Sequence, residues 1–202
     1  RQAHFGWFAN DFVMKRISTQ PNFHGVYLEV LERLDKRLAA DALAKLAASG
    51  GDGDDAASAA ARSKSPPRGA GGVDQPGLGV TARVQSCKLI DTVLQAVFHN
   101  VAKLLRSPKI TTSTSERSLL KNLGSWLGMI TLARNQPVQM RNLDVKELVC
   151  EGYETGRLIA VMPFVSKLLE GARDARIFRP PNPWTMGLMA LLRELYELDD
   201  LK

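Results

Sequence analysis

The residues that carry out most enzyme chemistry are few and scattered in this chain. Its histidines are His4, His24 and His99, and its cysteines are Cys87 and Cys150. None of them falls into H-E-x-x-H or C-x-x-C, spacings that hold a metal ion, and no G-x-S-x-G nucleophile motif occurs. The sequence therefore predicts no catalytic centre, no metal site and no cofactor.

The remaining candidate function is the binding of another macromolecule. A proline-rich stretch, Phe178-Arg-Pro-Pro-Asn-Pro-Trp184, predicts a stiff connector that cannot be helical. A stiff loop loses little entropy on binding, so its arginine and aromatic residue suit a docking surface. The candidate contacts are Arg179, Pro180, Pro181 and Trp184. The alternative is that Trp184 packs into the core and the prolines only turn the chain.

Two helix faces supply further candidates. Arg117, Lys121 and Asn122 share the polar side of one predicted helix, where they either hydrogen-bond a docked partner or form a solvated face. His99 and Lys103 lie four residues apart on the preceding helix. They either face a groove between helices or lie on an ordinary surface.

The helix that positions these residues is predicted within residues 113–134. Ser113 and Glu116 form a capping box, S-x-x-E, at its start. Apolar residues follow at helical spacing: Leu119, Leu120, Leu123, Trp126, Leu127 and Ile130. Gly124 and Gly128 lie four apart on one side, and each glycine costs about 1 kcal/mol in a helix. They predict close approach of another backbone, from either a neighbouring helix of the same protein or a partner.

The rest of the chain repeats this helical pattern. Helices are predicted over residues 4–17, 22–38, 88–106 and 158–169, from Asp144, and from Pro183 to about residue 198. In the second, Phe23, Val26, Tyr27, Val30, Leu31 and Leu34 form an apolar stripe that predicts its packed side. No stretch shows strand-like alternation. Successive antiparallel hairpins with short loops predict an all-α fold, an α-solenoid.

One segment breaks the pattern. Residues 50–84 are rich in Gly, Ala, Ser, Asp and Pro and carry almost no large apolar residue, so they cannot build a core. We predict one domain over residues 1–202 with a disordered, low-complexity insertion at about 40–86. The net charge of +6 is mild for a dedicated nucleic-acid binder and leaves weak RNA contact open.

The cysteines, the apolar runs and the two ends of the chain bear on compartment and on completeness. Two cysteines without a ligand pattern are read as reduced thiols, which favours the cytosol or nucleus. No apolar run reaches the roughly 18 residues of a membrane span, so no membrane partner is expected. Because the chain begins at Arg1 and stops directly after a predicted helix, we expect a piece of a longer protein.

Several segments in order resemble one family. They are KRISTQPNFHGVYLEVLERL (15–34), RSLLKNLGSWLGMITLARNQP (117–137), LDVKELV (143–149), MPFVSKLLE (162–170) and FRPPNPWTM (178–186). These resemble the central domain of the large scaffold subunit of the CCR-NOT deadenylase complex. That domain is similar to the middle domain of eukaryotic initiation factor 4G, a HEAT-like α-solenoid. The insertion departs from the family pattern, and the chain ends before the family's remaining helices.

The resemblance implies a non-catalytic scaffold in mRNA deadenylation, mRNA decay and translational repression. Its implied partners are a Caf-type poly(A) deadenylase, a DEAD-box helicase and other CCR-NOT subunits. The implied location is the cytoplasm, including P-bodies, or the nucleus. The alternative is an RNA-binding HEAT-like module of a translation factor, whose affinity would fall steeply with salt.

Overall fold

The computed structural model describes residues 2–49 and 88–198, and every regular element in these ranges is a helix. The α-helices are α1 (Gln2–Phe12), α2 (His24–Ser49), α3 (Lys88–Leu105), α4 (Thr114–Ile130), α5 (Val145–Glu154), α6 (Leu158–Arg173) and α7 (Pro183–Glu197). A π-helical turn, Val13–Ile17, continues α1, and two short 3-10 helices span Pro21–Phe23 and Leu132–Arg134. The all-α prediction is confirmed.

The chain divides into two compact units, residues 1–31 with 89–202, and residues 32–88. The first unit contains the core and all the candidate site residues. The second is described for residues 32–49, where α2 continues to Ser49, so the first ten residues of the predicted insertion are helical. The rest of that insertion, with Cys87, lies outside the described residues.

Side-chain caps begin three of the helices. The Ser113 hydroxyl accepts a hydrogen bond from the Glu116 amide at 3.3 Å, as the capping box predicts. The Asp144 carboxylate accepts from two amides at the start of α5, and the Asn182 side chain does the same for α7. Each cap satisfies N–H groups that the first helical turn leaves free, and this fixes where the flanking loops end.

The core is centred on α4 and α6, which pack against each other more closely than any other pair of α-helices described. A Cβ placed on Gly124 would lie 2.5 Å from the Phe164 carbonyl oxygen, and one on Gly171 would meet the backbone of Gly128. The close approach predicted from Gly124 and Gly128 is therefore made by a helix of the same chain. We name this contact the glycine seam: Gly124 and Gly128 of α4 against Phe164, Leu168 and Gly171 of α6.

The order of packing confirms the solenoid prediction. α4 packs against α6 and α5 packs against α7, so helices meet their next-but-one neighbours along the chain. α5 also packs against α6 as the next member of a hairpin. This stacking of successive hairpins is the pattern of an α-solenoid. The closest neighbour of α4 is α6 rather than α3, the preceding helix along the chain, because the glycines lie on the side facing α6.

A buried histidine joins the first hairpin to α4. The His24 side chain is 1% exposed, and its Nε2 lies 2.7 Å from the Ile17 carbonyl oxygen. Its ring packs edge-on against Trp126, which is fully buried. Burial lowers the pKa of His24, and the bond to Ile17 opposes that shift only in part. The neutral imidazole therefore acts as a core residue here.

The predicted packed side of α2 is wrong for most of its residues. Leu31 is fully buried and Tyr27 is half-buried, but the other four are exposed: Phe23 53%, Val26 55%, Val30 45% and Leu34 37%. α1 packs on the Tyr27 side, where Phe12 meets the Tyr27 ring edge-on. Among the described residues 2–31 and 89–198, nothing covers the other side of the stripe. We call Phe23, Val26 and Val30 the outer stripe.

Candidate functional site

The connector between α6 and α7 is held at several points. The Asn135 side-chain oxygen accepts hydrogen bonds from the backbone amides of Arg176 at 2.8 Å and Ile177 at 2.9 Å. The Thr185 hydroxyl donates to the Phe178 carbonyl oxygen. Asn182 then caps α7, so hydrogen bonds fix the backbone from Arg176 to the start of that helix. The stiffness predicted from the prolines is thus reinforced by side chains distant in sequence.

The connector presents most of its side chains to solvent. Arg179, Pro180 and Pro181 are exposed, and Ile177 is 59% exposed. Trp184 is only half-buried, with its ring packed edge-on against Phe178 at a centroid distance of 6.0 Å. The tryptophan packs against the core, while the arginine and the prolines remain accessible to solvent. The docking role of these exposed residues stays a prediction.

The three candidates on α4 differ in what their side chains contact. The Arg117 guanidinium donates to the Thr111 carbonyl oxygen at 2.6 Å and to the Thr114 hydroxyl at 3.2 Å. The Asn122 amide donates to the Ser18 carbonyl oxygen at 2.7 Å, which ties α4 to the turn after α1. Lys121 is exposed. Of these three, Lys121 is the side chain free to meet a partner without first breaking a bond within the fold.

The two candidates on α3 are both exposed and lie one turn apart. Asn100, beside His99, is buried and donates to Asn10 on α1 at 3.1 Å. That bond helps to hold the Asn100 side of α3 against α1. His99 and Lys103 lie on the side that faces solvent. The predicted site residues therefore lie on four elements, α3, α4, the connector and, for Trp184, the first turn of α7, and they share no hydrogen bond across them.

Sequence reasoning missed a cleft of about 370 Å³ between the end of α3, residues 140–144 and α5. It is lined by cations and carboxylates in equal number: Arg106, Arg141, Arg157, Asp144, Glu147 and Glu151. Arg157 donates to the Leu105 carbonyl oxygen at 3.0 Å, and Asp144 is engaged in capping α5. No local motif links these residues, since the cleft arises from contacts over about 50 positions. Its mixed charge favours neither an anion nor a cation.

The described residues offer neither a metal-binding cluster nor a membrane-spanning helix. Among residues 2–49 and 88–198, no three His, Cys, Asp or Glu side chains converge as metal ligands would. In the same part of the chain, no helix is both long enough and apolar enough to cross a membrane. What the described surface offers is exposed cations on rigid helices and on an anchored connector, an arrangement suited to binding another macromolecule.

Comparison with known proteins gives a consistent set of matches. Residues 78–202 match the family model described as the CCR4-NOT transcription complex subunit 1 CAF1-binding domain. Over 194 residues, 96% of its length, the chain is 31% identical to General negative regulator of transcription subunit 1 from Saccharomyces cerevisiae, covering 7% of that protein. Over 119 residues, 59% of its length, it is 43% identical to the Schizosaccharomyces pombe protein of the same name, covering 6% of it.

A third relative comes from an animal. The chain is 40% identical over 124 residues, 59% of its length, to CCR4-NOT transcription complex subunit let-711 from Caenorhabditis elegans, and it covers 5% of that protein. The chain thus spans well under a tenth of each of these three relatives.

Proposed function

The chain belongs to the family of CCR4-NOT transcription complex subunit 1 CAF1-binding domains, and on that premise we propose that it is a non-catalytic scaffold that docks a Caf-type poly(A) deadenylase. The observation that carries the proposal is the family match over residues 78–202, which takes in α3 to α7. The names of the relatives, a regulator of transcription and a complex subunit, support a scaffold rather than an enzyme.

The geometry supports docking through preformed surfaces. Lys103, Lys121 and Arg179 are exposed on two helices and an anchored connector, so little conformational entropy is lost when a partner binds. Arg117 and Asn122 contribute differently, because their side chains already hold the chain's own backbone. We therefore expect the exposed cations to contact the deadenylase and the other two residues to keep α4 in place.

Size-exclusion co-elution of this chain with a Caf-type deadenylase tests the proposal. The unchanged chain is compared with three charge reversals, Lys103→Glu, Lys121→Glu and Arg179→Glu, one for each element. Lys36→Glu is the matched control, an exposed lysine on α2 outside the family match. Circular dichroism establishes that every variant is folded.

Co-elution of the unchanged chain supports the scaffold role, and a reversal that weakens it while Lys36→Glu does not identifies the contacting element. A folded chain that fails to co-elute with the deadenylase at low salt overturns the proposal. Intrinsic nuclease or ATPase activity in a clean preparation overturns its non-catalytic part.

We propose a DEAD-box helicase as a second partner, a role that rests on the family resemblance. Stimulation of the helicase's ATPase rate by added chain tests this role, and an unchanged rate contradicts it. The proposed roles are mRNA deadenylation, mRNA decay and translational repression, in the cytoplasm including P-bodies or in the nucleus. Other CCR-NOT subunits are proposed to bind elsewhere on the longer protein.

A further inference from the structure

Three exposed arginines form no ion pair with any described residue, one at the end of α6 and two within the connector that follows it. Arg173 ends α6, and Arg176 and Arg179 follow at intervals of three residues. Two other exposed cations do form ion pairs: Lys15 lies 2.6 Å from Asp11, and Arg193 lies 2.9 Å from Glu197. Within the described part of the chain, none of the three arginines is within 4.0 Å of a carboxylate oxygen.

The local charge is therefore uncompensated. Asp174 is the only carboxylate between Arg173 and Arg179, which leaves this segment with a net charge of +2. A guanidinium offers several donors in a planar fork that matches a carboxylate with two parallel hydrogen bonds. Three such groups on one short segment make a surface that favours a negatively charged ligand over a neutral or positive one.

The backbone that carries these arginines is already fixed. Asn135 accepts from the amides of both Arg176 and Ile177, and Thr185 binds the Phe178 carbonyl oxygen. A ligand therefore has to order the arginine side chains but not the loop. This lowers the entropy lost on binding, the cost that often leaves charged surface loops with weak affinity.

The apolar neighbour of the arginines distinguishes between two classes of anionic ligand. Ile177, which is 59% exposed, lies between Arg176 and Arg179 in the connector. Phe178 and Trp184 are half-buried and packed edge-on against each other, so only part of either residue is exposed for base stacking. Single-stranded nucleic acid relies on such platforms for much of its affinity. An apolar contact flanked by guanidinium groups suits a protein segment better.

We propose that Arg173, Arg176, Ile177 and Arg179, the arginine connector, bind an acidic segment of a partner protein that also carries an apolar side chain. The partner's carboxylates pair with the guanidinium groups, and its apolar side chain packs on Ile177. This binding goes beyond deadenylase docking, because it is recognition of a short acidic peptide rather than of a folded enzyme.

Fluorescence anisotropy with a labelled short peptide of glutamates around one central leucine tests this inference. The same peptide with serine at the centre and a labelled oligo(A) RNA are run alongside it. The charge-reversed variant is Arg173→Glu, Arg176→Glu, Arg179→Glu. Its matched control is Lys36→Glu, Arg37→Glu, Lys109→Glu, three exposed cations on α2 and in the loop after α3, with the same total change in charge.

We expect the leucine peptide to bind the unchanged chain and to weaken several-fold between about 50 mM and about 300 mM salt. The charge-reversed variant should lose about tenfold or more in affinity, and the control variant less than about twofold. Ile177→Ser should weaken the leucine peptide and leave the serine peptide unchanged. If the triple variant does not fold, the single changes Arg176→Ala and Arg179→Ala, each with a few-fold loss, replace it.

Three results overturn the proposal. The first is no binding of the peptide at low salt. The second is an equal loss in the charge-reversed and control variants, which assigns binding to net charge alone. The third is tighter, connector-dependent binding of oligo(A), which makes the site an RNA site. Co-elution of the unchanged chain with the deadenylase shows separately whether the scaffold proposal holds.

Discussion

The glycine seam and the outer stripe of α2 both carry small or apolar residues at helical spacing, but only the seam is covered. At the seam, Phe164 and Leu168 are fully buried, and the two helix backbones come into contact at Gly128 and Gly171. Phe23, in the 3-10 helix just before α2, and Val26 and Val30 of α2 remain about half exposed. The same periodicity thus leads to opposite environments within one compact unit.

The difference shows what each pattern can establish. An apolar stripe indicates that one side of a helix can pack against a neighbour. Where a neighbour is present, burying a large side chain stabilises the fold by about 1.5–3 kcal/mol. The stripe alone does not indicate whether such a neighbour exists. A glycine pair costs stability unless another backbone approaches, so it carries information about a neighbour that the stripe lacks.

The largest loss of stability is expected from truncating a buried side chain at the glycine seam. Phe164→Ala removes a fully buried ring that lies against Gly124, and we expect it to lower the free energy of unfolding by about 3–5 kcal/mol. Urea unfolding followed by circular dichroism measures the change. The matched variant on the outer stripe, Phe23→Ala, should cost less than about 1 kcal/mol. Equal losses at the two positions would remove the distinction between the regions.

Filling the seam is the next test. Gly128→Ala places a Cβ against the Leu168 backbone, which cannot move aside as a side-chain end can, so we expect a loss of about 2–3 kcal/mol. Gly6→Ala is the control, because that exposed position in α1 has open space around it. The control should gain up to about 1 kcal/mol from helix propensity. Denaturant midpoints that move in the same direction for both variants would contradict the contact.

A third prediction concerns His24, the inward-facing residue at the start of α2. Burial holds its pKa below the ordinary value near 6.5, so the unfolded chain binds the proton more readily. Its contribution to stability is therefore complete above that value and falls as the pH is lowered toward the folded-state pKa. The slope is at most about 1.4 kcal/mol per pH unit.

The melting temperature measured between neutral and mildly acid pH checks this slope. His24→Gln should be less stable at neutral pH and should lose that component of the pH dependence. The exposed control, His99→Gln, should keep it. An unchanged pH profile in His24→Gln would show that the buried histidine is not the group responsible.

The smallest change in stability is expected from a substitution in the outer stripe. Val26→Ser should change the free energy of unfolding by no more than about 0.5 kcal/mol, since the side chain is 55% exposed. Leu31→Ser, on the same helix but fully buried, should cost several times more. A large loss for Val26→Ser in the isolated chain would mean that something covers this side of α2.

The parts of the fold that could be predicted from sequence are those encoded locally. The cap at Ser113 depends on residues within one turn and forms as expected. The caps at Asp144 and Asn182 are equally local, since each side chain accepts from amides two and three residues ahead. The backbone contact at Gly124 and Gly128 was also predicted, although the same-chain neighbour was only one of two alternatives. The third glycine of the seam, Gly171, was missed because nothing in α6 alone marks it as facing α4.

Features that depend on distant residues could not be predicted. The connector is anchored by Asn135, about 40 positions earlier, and the cleft beside α5 joins α3 to Arg157. The exposure of the outer stripe depends on which neighbours are present, which periodicity does not report. The docking roles of His99, Lys103, Lys121 and the connector residues remain predictions.

The contact between Gly128 and Gly171 also affects how the chain responds to a mechanical load. Where side chains separate two helices, a pull or a bend is absorbed by rotamer changes and small slips at the interface. At this point no side chain lies between the backbones, so we expect the contact to deform little under load. We expect α4 and α6 to transmit force as one rigid strut, with bending concentrated in the loops that join the helices.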